Sequence, residues 1–548
     1  MPAFRKYFIS GIILFFSVFS ACAQSLETQF DKLLSAEYKP GEPGAAVLIA
    51  KNGKVIYRKA FGNADLELNV PMKAENVFEL GSITKQFTAV SVLMLMEQGK
   101  LQLDNSITRF IPDYPTQGKK ITVHQLLNHT SGIKSYTDMD NFKKLARTDM
   151  SPTELIDVFK NEPMDFDPGE KWKYNNSGYI LLGYIIEKVS GQSYASFIEN
   201  NIFKKLGMTH SYYGSQSALI PNRAKGYQPK EKGFENADYL SMTLPYAAGS
   251  LMSTVDDMLL WSQAIHNNTL ISSKSKEKAF TNYKLNNGDA DYYGYGWQPN
   301  EINGIATVEH GGGIFGYTTM GIYAPAENLY AIVLTNTSGK SPTDITIKLA
   351  ALALGKPYAT KPLLQLTREQ LQQWVGTYEF VNGVLRTISL ENDTLYSQRE
   401  GSTKLKLIPT GTASFNFEGT TTQYEFAVEN GKRTALMKDR IQKFKGSETD
   451  KKFAPEKKPV DMDASALQQY TGQYQLAPQF IIEITTEGNQ IFAQATGQPK
   501  FEIFAEKPDT FFLKVVQASI DFNKDPAGNV ISLTLHQGGR DTEGKKIK

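Results

Sequence analysis

The chain has 548 residues, of which 41% are hydrophobic and 21% charged, as in an ordinary globular protein. This length favours about two to four domains. The formal net charge of +2 provides no basic surface for a nucleic-acid backbone, so nucleic-acid binding is not expected.

The first residues have the pattern of a secretory signal peptide. Arg5 and Lys6 precede an uncharged run from Tyr7 to Ser20, and Ala21-Cys22-Ala23 fits a small-x-small cleavage site. The apolar run is shorter than the ~20 residues of a membrane-spanning helix, so no membrane span is expected. Residues 1–23 are therefore predicted to be a signal peptide, and the mature protein to be periplasmic or secreted.

Cys22 is the single cysteine, and cleavage would leave a mature chain without a thiol. Disulfides, cysteine nucleophiles and cysteine-based metal sites are then excluded. In an alternative interpretation, residues 19–22 form a lipoprotein processing box and Cys22 carries lipid. Both interpretations place the mature protein outside the cytoplasm.

The first part of the chain mixes strand and helix patterns. Residues Ala45–Ile56 predict a β-hairpin that turns at Asn52-Gly53. Thr84–Gly99 and Tyr179–Val189 predict apolar helices, and Tyr330–Thr335 predicts a buried strand. Strands near both ends with helices between them indicate an α/β layer with a helical insert.

After about residue 360 the pattern changes to short alternating segments, which are typical of small all-β domains. This part contains an internal repeat, because Leu371–Tyr378 matches Leu467–Tyr474 at an offset of 96 residues. Ile388 and Ile484 agree at the same offset, as do several later pairs.

The repeat predicts two related β-domains, residues 365–450 and 461–548. The lysine- and proline-rich stretch Lys451–Asp463 is interpreted as their linker. Each domain is expected to open with a short helix, around Leu371 and Leu467.

The segment Glu79–Lys85 holds the first candidate catalytic motif. If Ser82 begins the apolar helix, Lys85 lies three residues later on the same face. A serine hydroxyl needs a base to accept its proton, and a desolvated lysine would provide one. Backbone N–H groups at the start of the helix would stabilise an oxyanion.

The Ser-x-x-Lys spacing is weakly specific by itself, because Ser275 and Lys278 have it too. We interpret that second copy as one face of a solvated helix. Ser82 differs because a long apolar helix follows it, where a buried lysine would be costly without a role.

The segment Lys173–Gly178 holds the second motif, in which Tyr174 and Asn176 lie two residues apart. A tyrosine beside an ammonium ionises more easily and can then act as base and as acid. An asparagine offers a donor and an acceptor for a substrate amide. The alternative interpretation is a plain polar loop.

The third motif is Glu309–Tyr317, whose many glycines let the backbone approach a ligand closely. If His310 starts an edge strand beside the nucleophile, its imidazole points into the cleft. The Gly313 N–H would then be a second oxyanion donor. The alternative is a glycine-rich hairpin turn with an incidental histidine.

These three motifs, in this order, resemble the fingerprint of the serine penicillin-recognising superfamily: Ser-x-x-Lys, Tyr-x-Asn and Lys/His-x-Gly. Its members include class C β-lactamases, D,D-carboxypeptidases, D-aminopeptidases and esterases. The supporting stretches are Leu126–Gly132, Leu206–Met208, Ala248–Leu251 and Tyr293–Trp297.

The resemblance implies a fold for residues 24–358: an α/β (α+β) β-lactamase/transpeptidase-like domain with an antiparallel sheet flanked by helices. Two small all-β, barrel-like domains would follow it. It also implies that Ser82 is the acylated nucleophile, Lys85 its proton partner and Tyr174 the general acid/base. Asn176 would hold the substrate amide.

In the third motif the resemblance implies that His310 and Gly312 line the opposite wall of the site. Class C β-lactamases usually have a lysine where this chain has His310. Histidine has a pKa near ~6.5 and is mostly neutral at neutral pH, so binding of a substrate carboxylate should be weaker. His129, in a supporting stretch, is interpreted as a structural histidine bonded to backbone.

The leading hypothesis is acyl transfer to water through an acyl-serine, on a peptide with D-residues or on an ester or amide. One alternative is a class C-type β-lactamase. Another is a slowly acylating penicillin-binding sensor, whose β-domains bind peptidoglycan or another partner. A small-molecule or peptide substrate is expected, with peptidoglycan a candidate, and the oligomeric state stays open.

No metal or other cofactor is expected. The six histidines are scattered and form no recognised ligand spacing with nearby carboxylates. Neither a phosphate-binding loop nor a dinucleotide fingerprint stands out.

Overall fold

The computed structural model describes residues 26–548 except 360–361, 454–458, 478–479, 497–499, 517 and 538–539. The predicted signal peptide, with Cys22, lies outside the described residues. Each described helix is too short or too polar to span a membrane. The chain divides into two compact units, the first ending at Tyr358 and the second beginning at Ala359.

A six-stranded antiparallel sheet forms the centre of the first unit. The strands of this unit are β1 (Ala45–Lys51), β2 (Lys54–Phe61), β3 (Asn63–Asp65), β4 (Val70–Pro71), β5 (Phe78–Glu79), β6 (Tyr212–Tyr213), β7 (Tyr227–Pro229), β8 (Phe234–Asn236), β9 (Leu251–Ser253), β10 (Gln298–Ile302), β11 (Ile305–Ile314), β12 (Tyr317–Ala324) and β13 (Leu329–Thr335). Six of them form the sheet in the order β10-β11-β12-β13-β1-β2.

Most of the helices lie between β2 and β10 in the chain, and others flank the sheet. They are α1 (26–37), α2 (Thr84–Glu97), α3 (Val123–Leu127), α4 (Phe142–Leu145), α5 (Pro152–Phe159), α6 (Asn176–Ser190), α7 (Tyr194–Ile198), α8 (Lys204–Leu206), α9 (Tyr246–Gly249), α10 (Val255–His266), α11 (Ser273–Phe280) and α12 (Thr343–Ala353).

The predicted elements of this unit are confirmed. Strands β1 and β2 form the expected hairpin, with Lys51 opposite Lys54 across the two-residue turn. Helix α2 is buried from Thr84 to Leu95 and packs against α6 and α9, which explains why it is apolar on all sides. Because the sheet takes strands from both ends of the unit, the helices between them form the predicted insert.

The second unit contains two closed eight-stranded barrels, which confirms the predicted all-β fold class. A short helix precedes each one: α13 (Arg368–Gln372) and α14 (Ala464–Leu467). The strands of the first barrel are β14 (Gly376–Phe380), β15 (Leu385–Glu391), β16 (Thr394–Arg399), β17 (Lys404–Pro409), β18 (Ser414–Phe417), β19 (Thr422–Glu429), β20 (Lys432–Asp439) and β21 (Gln442–Thr449). Those of the second are β22 (Gly472–Ala477), β23 (Phe480–Glu487), β24 (Gln490–Ala495), β25 (Phe501–Lys507), β26 (Thr510–Leu513), β27 (Ala518–Lys524), β28 (Val530–Gln537) and β29 (Arg540–Lys546).

The strand pairing of the two barrels follows the sequence repeat. Gly376 pairs with Ile388 in the first barrel, and Gly472 pairs with Ile484 in the second, at the same offset of 96 residues. A tyrosine hydroxyl also repeats its bond: Tyr378 donates to the Trp374 carbonyl at 2.9 Å, and its counterpart Tyr474 donates to the carbonyl four residues back at 2.7 Å. The two barrels therefore share pairing as well as sequence.

Candidate active site

Ser82 lies in a tight helical turn, Gly81–Ile83, that leads directly into α2. The preceding Gly81 has φ +54°, a conformation that favours glycine. A Cβ atom at Gly81 would lie 2.9 Å from the Gly313 nitrogen. Strand β11 therefore passes the nucleophile at backbone distance, and any side chain at Gly81 would push the two apart.

Lys85 is fully buried one turn after Ser82. Its Nζ lies 3.0 Å from Ser82 Oγ, 2.8 Å from Asn176 Oδ1 and 2.9 Å from the Ala248 carbonyl oxygen. Burial lowers the pKa of Lys85 well below its usual value. The two N–H groups of a neutral amine would donate to Asn176 and Ala248, which leaves its lone pair to accept the Ser82 proton.

Asn176 is held by the start of α6, where the Asn175 side chain accepts a hydrogen bond from the Gly178 N–H at 2.8 Å. This cap fixes the backbone immediately beside Asn176. While its Oδ1 accepts from Lys85, its Nδ2 donates to Thr137 Oγ1 at 3.1 Å. Both ends of the amide are therefore engaged.

Tyr174 lies beside Lys85, whose Nζ is 4.8 Å from the centre of its ring. Its hydroxyl is buried and has no regular hydrogen-bond partner among the described residues. Burial raises the pKa of Tyr174 well above its usual value, and the neighbouring Ser82 offsets only part of that effect. The sequence suggested that an ammonium would make this tyrosine ionise more easily, but here burial has the larger effect.

His310 lies inside β11, and its ring centre is 6.2 Å from that of Tyr174 and 5.7 Å from that of Tyr293. Its Nε2 is 2.7 Å from the Tyr293 hydroxyl, and its Nδ1 is 2.5 Å from the Gly311 carbonyl. Burial, with a further effect of Lys85, lowers the pKa of His310 to about 3. The imidazole is therefore neutral, with Nδ1–H donating to Gly311 and Nε2 accepting from Tyr293.

Gly312 and Gly313, the two glycines after Gly311, have different surroundings. A Cβ atom at Gly312 would lie 2.0 Å from the Leu80 carbonyl oxygen and 2.3 Å from Thr319 Oγ1, so only glycine fits there. A Cβ atom at Gly313 would meet nothing within 4 Å. Gly312 thus lets β11 approach the nucleophile, and Gly313 faces open space.

A cavity of about 370 Å³ opens beside the nucleophile. Its catalytic side is lined by Gly81, Ser82, Asn176, Ala248, Gly249 and Gly313. Of the expected site residues, Ser82, Asn176 and Gly313 line this cavity, and Lys85, Tyr174, His310 and Gly312 are not part of its lining. Both imidazole nitrogens are bonded to protein groups, and Gly312 is packed against the chain at Leu80.

His129 supports the loop that carries Tyr174. Its Nδ1 accepts a hydrogen bond from the Asn175 N–H at 3.2 Å, and its ring centre lies 4.4 Å from that of Tyr174. Because Nδ1 accepts, the proton is on Nε2, which is buried without a partner among the described residues. Burial, then Lys85 and His310, lower the pKa of His129 well below its usual value. The histidine is therefore neutral and bonded to backbone through one nitrogen.

The second Ser-x-x-Lys copy lies on α11. Ser275 is buried rather than solvated, which differs from the expected exposed face. Its N–H donates to Ser272 Oγ at 3.3 Å, which caps the helix. This serine therefore has a structural contact at the start of a short helix.

Sequence reasoning missed several groups that shape the site. The Ala248 carbonyl bonds Lys85 and the Tyr293 hydroxyl bonds His310, although both residues lie in stretches that resembled the superfamily. Ser135 Oγ accepts a hydrogen bond from the Asn176 backbone N–H at 3.2 Å, and Thr137 Oγ1 accepts one from the Asn176 side chain. The last two follow the Leu126–Gly132 stretch, and no spacing rule in the sequence pointed to them.

The described residues contain no group of three or more His, Cys, Asp or Glu side chains arranged to hold a metal ion.

Comparisons with known proteins agree with this geometry. The beta-lactamase family model matches residues 24–356, and a model called domain of unknown function DUF3471 matches residues 456–546. Penicillin-binding protein 4* of Bacillus subtilis strain 168 is 32% identical over 411 residues, which cover 70% of this chain and 89% of that protein.

Two solved structures are similar over nearly their whole length. The octameric penicillin-binding protein homologue from Pyrococcus abyssi has a TM-score of 0.53 and 28% identity, and the match covers 77% of this chain and 99% of that one. A D-stereospecific amidohydrolase from a Streptomyces species has a TM-score of 0.52 and 25% identity, covering 60% and 99%. The chain therefore belongs to the beta-lactamase family and is a serine hydrolase of the penicillin-binding-protein type.

Proposed function

We propose that this protein is an exported enzyme that forms an acyl-serine at Ser82 and transfers the acyl group to water. The substrate would be a peptide with D-residues, or an ester or amide of similar shape. The observation that carries this proposal is the buried Lys85, whose Nζ lies 3.0 Å from Ser82 Oγ and whose pKa burial lowers.

In the acylation step Ser82 Oγ attacks the substrate carbonyl while its proton passes to the neutral Lys85 amine. The oxygen of the tetrahedral intermediate would accept hydrogen bonds from the N–H groups of Ser82 and Gly313. The close passage of β11 past Gly81 supports this pair of donors.

The leaving group needs a proton when the tetrahedral intermediate collapses. Tyr174 is suited to donate it, because a raised pKa keeps the phenol protonated in the resting enzyme. The Lys85 ammonium, 4.8 Å from the tyrosine ring, would then return a proton to the phenolate. Water attacks the acyl-serine by the same steps in reverse.

A class C-type β-lactamase is the second candidate, and the chemistry of His310 disfavours it. With a pKa of about 3, this residue carries no positive charge at neutral pH and cannot pair with a substrate carboxylate. The likeness to the Streptomyces D-stereospecific amidohydrolase supports a D-amide instead. The slowly acylating sensor stays as the third possibility.

A substrate panel on the purified protein separates these three functions. It contains nitrocefin, p-nitrophenyl acetate and butyrate, and the p-nitroanilides of D- and L-alanine. We expect turnover of the esters, and its loss in Ser82→Ala, whereas turnover of the D-anilide, which has a free ammonium, would support a D-aminopeptidase. Fast turnover of nitrocefin alone would identify a β-lactamase, and a stable adduct without turnover would identify the sensor. The variant Lys278→Met, in the second Ser-x-x-Lys copy, is the matched control and should keep full activity.

Export is tested by the mass of the mature protein recovered from a fractionated bacterial host. Cleavage after Ala23 predicts a chain that begins at Gln24 outside the cytoplasm. A lipid-modified Cys22 would establish the lipoprotein alternative, and an intact chain in the cytoplasm would overturn export.

A further inference from the structure

Six of the side chains that line the cavity beside Ser82 are large and mainly apolar. They are Tyr136, Phe142, Leu240, Leu244, Ile314 and Phe315. Aromatic and branched side chains of this kind bind the apolar part of a ligand by burying its surface. The cavity is therefore suited to an aliphatic or aromatic part of a substrate.

None of the described residues that line this cavity is an Asp, Glu, Lys, Arg or His. Two charged residues close to the lining along the chain are already paired. Lys340, two residues after the lining Ser338, lies 2.5 Å from Glu37. Asp138, next to the lining Thr137, lies 2.9 Å from Lys173. Neither a cation nor a carboxylate is thus aimed into the cavity from these positions.

Two hydroxyl groups of the lining are also occupied. Thr318 Oγ1 is 2.9 Å from both the Thr337 and the Lys340 carbonyl oxygens, so its single proton has acceptors within the protein. Thr137 Oγ1 accepts from Asn176 and is 3.0 Å from Ser135 Oγ. A substrate carboxylate would find few free donors here.

Burial of an unpaired charge in such a cavity is costly, whereas burial of a neutral group is favourable. We propose that this cavity selects substrates that carry no charge near the scissile bond: esters or N-blocked amides with an apolar acyl group. The inference rests on the proposed acyl-serine mechanism and narrows its substrate class. Peptides with a free amino or carboxyl terminus beside the scissile bond would be poor substrates.

Two matched pairs of substrates test the charge preference. p-Nitrophenyl hexanoate and mono-p-nitrophenyl adipate have acyl chains of equal carbon number and differ by a terminal carboxylate. N-acetyl-D-phenylalanine p-nitroanilide and D-phenylalanine p-nitroanilide differ by a free ammonium. In each pair that the enzyme hydrolyses, we expect kcat/KM to be at least about 100-fold higher for the neutral substrate than for the charged one, because burial of an unpaired charge is costly.

A variant places a charge in the cavity at Phe142, which is partly exposed on α4. Phe142→Lys should raise the adipate-to-hexanoate ratio of kcat/KM about 10-fold or more, because the ammonium pairs with the adipate carboxylate. Phe142→Met, a neutral residue of similar length, should leave the ratio unchanged. An unchanged ratio in Phe142→Lys would contradict the inference.

Failure of this inference can be told apart from failure of the mechanism. Equal turnover of charged and neutral substrates, together with labelling of Ser82 by a fluorophosphonate, would overturn only the charge selection. Hydrolysis that persists in Ser82→Ala would overturn the proposed function itself.

Discussion

Lys85 Nζ lies 3.0 Å from Ser82 Oγ, and its three polar contacts are all with uncharged groups. The other two are Asn176 Oδ1 and the Ala248 carbonyl oxygen. A buried ammonium without a carboxylate partner is expensive, so this set of contacts favours the neutral amine. The arrangement that binds the lysine therefore also prepares it to take the serine proton.

The first prediction concerns this amine. Lys85→Met and Lys85→Arg should each lower kcat/KM by about 10³-fold or more, because neither side chain can accept a proton from Ser82. Steady-state kinetics on the best ester of the panel measures the loss. Activity within about 10-fold of wild type in Lys85→Arg would show that deprotonation of the lysine is not required.

The second prediction compares the two glycines of β11. Gly312→Ala should lower the free energy of unfolding by about 2 kcal/mol or more, because its Cβ would clash with the Leu80 carbonyl and Thr319. Gly313→Ala should unfold like wild type, since its Cβ meets open space. Urea unfolding followed by tryptophan fluorescence measures both. Equal destabilisation by the two variants would contradict this packing.

The sequence predicted much of the fold because its signals are local. The apolar run of α2, the Asn52-Gly53 turn and the 96-residue repeat depend on periodicity and turn chemistry within short segments. The match of strand register between the barrels shows that a fixed offset in sequence corresponds to equivalent positions in space.

The site was only partly predictable, because its contacts join distant parts of the chain. The motif order indicated that Ser82, Lys85 and Asn176 meet, and the structure brings these three together. Burial of His310 could not be seen in its motif, since it depends on the rings of Tyr174 and Tyr293 packed around it. Burial depends on tertiary packing, and it also decides the protonation states of these residues.

The third prediction uses the pKa of His310, which falls from 6.5 to about 3 on burial. As the pH falls from 6.5 towards 3, the unfolded chain binds a proton at this histidine and the folded chain does not. The stability of the first unit should therefore decrease over this window, by up to about 1.4 kcal/mol per pH unit from this residue alone. His310→Asn should remove that contribution.

Urea unfolding of wild type and His310→Asn between pH 4 and pH 7 measures the difference. Tryptophan fluorescence is a suitable probe, because three of the four tryptophans, Trp172, Trp261 and Trp297, lie in the first unit. The two stability curves should converge as the pH falls. Parallel curves would show that His310 titrates alike in the folded and unfolded chains.

The fourth prediction concerns the repeated tyrosine bond of the barrels. Tyr378→Phe and Tyr474→Phe should each cost about 1 kcal/mol, because each leaves a buried carbonyl without its donor. Tyr396→Phe, at a partly exposed position of β16, is the control and should be nearly neutral. Denaturant unfolding followed by circular dichroism measures the cost, and stability equal to the control in both variants would contradict the shared role.

The most direct test of the account is the pH dependence of acylation at Ser82. A neutral fluorophosphonate reacts with the serine as fluoride leaves, so the labelling rate follows the serine's activation and not the charge of the probe. For the wild type we predict a labelling rate that rises with pH, with a midpoint well below 10.5, the ordinary pKa of lysine. For Lys85→Met we predict a slow labelling rate that lacks this rise with pH. A midpoint near 10.5, or the same profile in Lys85→Met, would contradict a neutral Lys85 as the base that activates Ser82.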